Sequence, residues 1–99
     1  MDKYYKILFI CMSSYAKLTP LEQEIIEFLN TQEELTGIAD FRGGFTDLTL
    51  AMGKKLSDVS NIRKAFLRLK SKNIVYRWND EPVFYLLDNW LENLTGIHW

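Results

Sequence analysis

Apolar positions repeat along this chain in two rhythms, one helical and one extended. Val59, Ile62, Ala65, Phe66 and Leu69 fall at spacings of 3, 3, 1 and 3, a single stripe for a helix of period 3.6. Their helix is expected over 57–72, capped by Ser57 or Asp58 and closed by Asn73, which tolerates the left-handed conformation better than most side chains. Upstream, Leu48, Ala51 and Met52 recur at i, i+3 and i+4, with Thr46 as the expected cap and Gly53 as the stop, giving a short helix over 46–53. Val75-Tyr76-Arg77-Trp78 and Val83-Phe84-Tyr85-Leu86-Leu87 are β-rich runs around the turn-forming Asn79-Asp80-Glu81-Pro82, a hairpin over 75–87.

A further helix is signalled at 19–30. Thr19 caps it, Pro20 takes the first helical position, and Glu22 completes a capping box. Leu21, Ile25, Phe28 and Leu29 form its apolar stripe, with Glu22, Glu24 and Glu27 expected mostly on the outside. Between Asn30 and Phe45 the chain is polar and carries Gly37, Gly43 and Gly44, which predicts a loop with a short strand near Ile38–Phe41. Tyr4–Met12 is a short apolar run that periodicity leaves open between strand and helix; the expectation taken is a helix reaching about Tyr15. A short helix over 88–95 places Trp90, Leu91 and Leu94 on one side.

The stretch FTDLTLAMGKKLSDVSNIRKAFLRLKSKNIVYRW, Phe45 to Trp78, resembles the core of a winged helix-turn-helix DNA-binding domain. The matching elements are Asp47-Leu48-x-x-Ala51-x-Gly53, the Leu56-Ser57 turn, Val59-Ser60 with Lys64, Phe66 and Leu69, and the Asn73-Ile74-Val75 exit into a strand. The spacing is most similar to small transcriptional regulators and to phage or plasmid replication proteins. The resemblance implies an α+β, mostly helical fold: one domain over 1–99, with a three-helix core, a β-hairpin wing and extra terminal segments. It also implies sequence-specific binding of double-stranded DNA, with helix 58–71 in the major groove, by a regulator or replication accessory protein. Winged helices also serve as protein-docking modules, so a protein–protein module without DNA binding is the alternative.

The charge map changes the picture drawn by the total. The net charge is −1, yet residues 54–78 hold eight basic side chains against Asp58 alone, a balance of +7. Residues 1–53 and 79–99 each carry −4. A field focused in this way can orient a domain on a polyanion while limiting non-specific binding. On a helical wheel, Ser60, Asn61, Lys64, Leu67, Arg68 and Ser71 face away from the apolar stripe, with Arg63 and Lys70 on the flank. Ser60, Asn61 and Lys64 lie in the N-terminal half, which enters a groove most deeply, and are the expected base contacts. Lys54, Lys55, Arg63, Arg68 and Arg77 are the expected phosphate contacts. The wing tip is acidic, with Asp80 and Glu81, so Trp78 is expected to pack rather than insert. Asp47 stabilises its own helix dipole but weakens any approach of phosphate there.

Other chemistry is poorly represented. Cys11 is the one cysteine and His98 the one histidine, which leaves no internal disulfide, no zinc-ligand cluster and no nucleophile–base pair. Neither an enzyme nor a cofactor-dependent protein is expected, and no metal. Ile7–Met12 is too short for a signal-peptide core, for which about 7 to 15 apolar residues are needed, or for a membrane span. A cytoplasmic protein without a membrane partner is the expectation. The amphipathic segments Tyr4–Tyr15 and Trp90–Leu94 must each cover their apolar side against the core or a second chain, which makes a homodimer the second expected partnership.

Overall fold

The computed structural model describes residues 14–78 and 81–96. It is an α+β fold whose helices surround one side of a small sheet: α1 (Pro20–Thr36), β1 (Asp40–Arg42), α2 (Phe45–Ala51), α3 (Val59–Ser71), β2 (Val75–Arg77), β3 (Val83–Leu86) and α4 (Trp90–Thr95). A single 3-10 turn, Leu56–Asp58, leads into α3. Residues 14–16 are helical; the rest of the helix expected over 4–15 lies outside the described residues.

Helix α1 begins as its cap predicts. Thr19 Oγ1 accepts from the Glu22 N–H at 3.2 Å, and Glu22 Oε1 accepts from the Thr19 N–H at 3.1 Å. It runs past the expected end at 30 to Thr36, stopping where Gly37 turns left-handed at φ 85°. The six added residues are mostly polar, but Gln32, Glu33, Glu34 and Leu35 are good helix formers, and nothing before Gly37 breaks the backbone ladder. Glu22 corrects the expected outer face: it is buried at 2% exposure, while Ile26 joins Ile25 and Leu29 inside.

Helix α2 starts two residues earlier than expected, counted from cap to cap. Gly44 is its N-cap residue, and Asp47 Oδ2 reaches back to the Gly44 N–H at 2.9 Å, so Asp47, not Thr46, serves the helix start. Ala51 is exposed; the inward position belongs to Thr49, whose hydroxyl donates to Phe45 O at 2.7 Å. In the same way, neither Ser57 nor Asp58 caps α3 through its side chain. Asp58 Oδ2 instead accepts from the Lys55 N–H at 3.1 Å and steadies the 3-10 turn. Asn73 ends the α3 segment with φ 58°, as expected of it.

The sheet order is β1-β3-β2, all antiparallel. The expected strand near Ile38–Phe41 forms at Asp40–Arg42 and pairs Phe41 with Phe84, while the hairpin partners pair Val75 with Leu86 and Arg77 with Phe84. The core lies between the sheet's inner face and helices α1 and α3. Ile25, Leu29, Leu48, Ile62, Phe66, Leu69, Ile74 and Phe84 are all at or near zero exposure. Phe45, Phe66 and Phe84 form an edge-to-face triangle with centroids 5.0 to 5.7 Å apart, each contact adding about 0.5–1.5 kcal/mol beyond area burial. Trp90 and Leu94 of α4 pack against this core, and Asn93 Nδ2 donates to Asn73 O at 2.6 Å. No residue of α4 is fully buried, so its apolar side is shared between the core and solvent.

Candidate functional site

The burial of α3 orders its surface. Ile62, Ala65, Phe66 and Leu69 are inside and Val59 is half-buried, so the helix cannot rotate without exposing its apolar stripe. That fixes Ser60, Asn61, Arg63, Lys64, Leu67, Arg68 and Ser71 outward, all of them exposed. The face expected from periodicity is therefore the face that solvent meets.

The basic side chains on and around this face differ in what holds them. Lys54 Nζ lies 2.9 Å from Glu24 Oε2, an ion pair between the α2–α3 connector and α1. Arg68 Nε and Lys72 Nζ each lie 3.6 Å from an oxygen of Glu22. Burial alone raises the pKa of the Glu22 carboxyl. The Thr19 hydrogen bonds and the charges of Lys72 and Arg68 outweigh it and hold the group below the ordinary carboxylate range. Lys70 Nζ sits 5.6 Å from the centre of the Tyr76 ring, and the Arg63 guanidinium 5.8 Å from that of Phe45.

Arg77 is the outlier among the expected phosphate contacts. It points to the inner face of the sheet, half-buried, with its guanidinium 4.9 Å from the centre of Phe84 and 5.2 Å from that of Phe45. Its Nε is buried with no hydrogen-bond partner among the described residues. Such stacking desolvates the cation and ties it to the aromatic triangle. By contrast, Ser60, Asn61 and Lys64 have no side-chain hydrogen bond or ion pair among the described residues.

Asn61, Lys64 and Arg68 line one wall of an open groove of about 400 Å³, whose other wall is the start of α1 at Thr19–Leu21 together with Glu24 and Lys54. Two of the three residues expected to read bases thus share a concave surface with two of the expected phosphate contacts. Lys55 stands in the connector and Arg63 on the opposite flank of α3, both exposed.

Periodicity missed Glu22 and Lys72 as parts of this surface. Glu22 was legible as a cap residue, but its burial beneath two cations depends on how α1 lies along α3. Trp78 also departs from expectation: it is 53% exposed, packed only edge-on against Tyr76. Leu50, Leu56 and Leu67 are exposed by 51%, 62% and 48%.

No protein-family model, curated protein or solved structure matches this chain. The fold is that of an α+β domain with a three-stranded antiparallel sheet. Among the described residues there is no grouping of His, Cys, Asp and Glu able to hold a metal ion, and no helix long and apolar enough to cross a membrane.

Proposed function

We propose that the chain is a winged helix-turn-helix domain that binds double-stranded DNA sequence-specifically, as a regulator or replication accessory protein. In this reading α2 and α3 are the helix-turn-helix, β2 and β3 the wing, and β1 the strand that joins the wing to the core. The observation that carries it is the outward arc of α3, where Ser60, Asn61 and Lys64 are exposed, uncommitted and flanked by Lys55 and Arg63. Asn61 suits adenine N6 and N7, and Lys64 suits guanine O6 and N7. Lys55 and Arg63 are the phosphate contacts best placed to act at little cost, since neither has to leave a carboxylate. Lys54 and Arg68 would have to exchange Glu24 and Glu22 for phosphate, and Arg77 contributes as a prop for the aromatic triangle.

Selection from a random duplex pool tests the reading. Enrichment of one motif, with affinity that falls as salt rises, is the expected result. A pool that stays random, together with no salt-dependent retention on duplex DNA, would overturn it.

A second reading has its own observation. Leu50, Leu56 and Leu67 leave apolar surface on α2, the connector and α3, as a protein-docking winged helix would require. It predicts no salt-dependent retention on duplex DNA, and a protein contact that Leu67→Lys abolishes.

A further inference from the structure

The side of the sheet facing away from the core carries an aromatic groove that is independent of the α3 surface and of the DNA reading. Strand alternation turns Val75 and Arg77 inward and Tyr76 outward, and the register sets Tyr76 directly across from Tyr85. One residue beyond β2, Trp78 stands edge-on to Tyr76, with ring centres 5.2 Å apart and planes at 82°. Tyr76 is 37% and Trp78 53% exposed. With Tyr85, Leu86, Leu87 and Asp88 they line an open groove of about 360 Å³.

Charge and shape narrow the occupant. The one charged residue lining the groove is Asp88, exposed and without a side-chain partner among the described residues. Asp40 lies across the sheet from Tyr85, and Glu81 is exposed near the start of β3. Lys70, over the Tyr76 ring, and Arg42, exposed two residues beyond Asp40 on β1, are the cations around it. A nucleic-acid strand could stack bases on these rings, but its phosphates would meet three carboxylates against two cations, with the unpaired Asp88 inside the groove itself. A second copy of the same surface would set Asp88 and its acidic neighbours against themselves. An uncharged or basic ligand meets neither penalty.

An open groove floored by the Tyr76–Trp78 pair with Tyr85 beside it suits a rigid, extended, apolar chain. Polyproline II provides this with little conformational entropy to lose, and aromatic-lined grooves are its general mode of recognition. We propose that the Tyr76–Trp78–Tyr85 groove binds an extended proline-rich peptide, with a Lys or Arg of the peptide seated at Asp88.

The test uses the full chain and follows the Trp78 indole N–H by NMR during titration with synthetic peptides. Octaproline bearing a terminal Arg is expected to shift that resonance saturably, and the same peptide with Glu in place of Arg to bind several-fold more weakly. Trp78→Ala should weaken binding by at least about tenfold, as for a central aromatic anchor; in that variant the Tyr76 and Tyr85 ring signals are followed. Asp88→Asn should bring the Arg and Glu peptides close to parity. Both substituted side chains are exposed, and an unchanged far-UV circular dichroism spectrum checks the fold. Absence of a saturable shift, or unchanged affinity in Trp78→Ala, overturns the proposal. So does tighter occupation of the groove by a thymidine decanucleotide, or a doubling of mass with concentration that Trp78→Ala abolishes.

Discussion

Arg68 Nε approaches Glu22 Oε1 at 3.6 Å, joining an exposed residue of α3 to a carboxylate buried in the first turn of α1. The same carboxylate closes the capping box on Thr19 and faces Lys72, so one side chain links a helix start to two turns of another helix. Its ionised form is favoured on folding, and the sign of the pH effect follows. A carboxyl whose folded pKa lies below the unfolded one stabilises the fold above the unfolded value, near 4.3, and that contribution is lost as pH falls through the folded value. Glu22→Gln should therefore cost about 1–2 kcal/mol at neutral pH. The deficit relative to the parent should shrink toward pH 3, as read by urea denaturation at the two pH values. A deficit that is constant with pH would mean that the charge contributes nothing.

Gly43 and Gly53 separate two effects of a missing side chain. Both have positive φ, 138° and 75°, but a Cβ on Gly43 would stand 2.7 Å from Asp47 Cβ, whereas one on Gly53 meets nothing within 4 Å. Gly53→Ala should cost about 1 kcal/mol from backbone strain alone. Gly43→Ala should cost about 2–3 kcal/mol, because Asp47 must also move from the position in which it caps α2. Thermal unfolding of the two variants side by side checks the order.

Tyr15 supplies the alkaline counterpart of Glu22. Its hydroxyl lies 2.9 Å from Gln23 O and 3.0 Å from Glu27 Oε1. Burial, that hydrogen bond and the Glu27 charge all raise its pKa. A group that must stay protonated in the fold stabilises it below the unfolded value, near 10, and loses that contribution as pH rises beyond it. Tyr15→Phe should lower stability by about 1 kcal/mol at neutral pH and flatten the decline above about pH 10. A parent protein no less stable at pH 10.5 than at pH 8 would contradict this.

These residues mark where local pattern suffices and where it fails. The Thr19–Glu22 box, the α3 stripe and the left-handed Asn73 depend on neighbours within one or two turns, and each forms as its spacing indicates. The extension of α1 to Thr36 was hidden because polar helix formers resemble a loop when no apolar stripe accompanies them. The start of α2 lies two residues before the expected cap because a carboxylate reaching back to Gly44 does the work assigned to a Thr46 hydroxyl. The pairing of Glu22 with Arg68 and Lys72, and the turning of Arg77 onto Phe45 and Phe84, join residues far apart in the chain. No periodicity reports such contacts. Of the candidate site, the exposed arc of α3 was legible, while the division of its cations into committed and uncommitted was not.

That division gives the most discriminating pair of variants. Lys64 is exposed and holds no partner among the described residues, so Lys64→Ala should change stability by no more than about 0.5 kcal/mol. If α3 enters duplex DNA, the same variant should weaken binding about tenfold and reduce the slope of log affinity against log salt by about 1. Arg77 sits over two rings with a buried Nε, so Arg77→Ala should instead lower stability by about 1–2 kcal/mol through lost stacking and stem packing. Measured on the folded fraction, its duplex affinity and salt slope should stay near those of the parent. Denaturation curves and fluorescence anisotropy at three salt concentrations measure both quantities on both variants. The opposite pattern, with Lys64→Ala silent on DNA and Arg77→Ala reducing the salt slope, would move the polyanion contact from α3 to the sheet. A cation buried against Phe84 cannot release counterions from a phosphate without first leaving the aromatic triangle, and that is why the two side chains are expected to separate so cleanly.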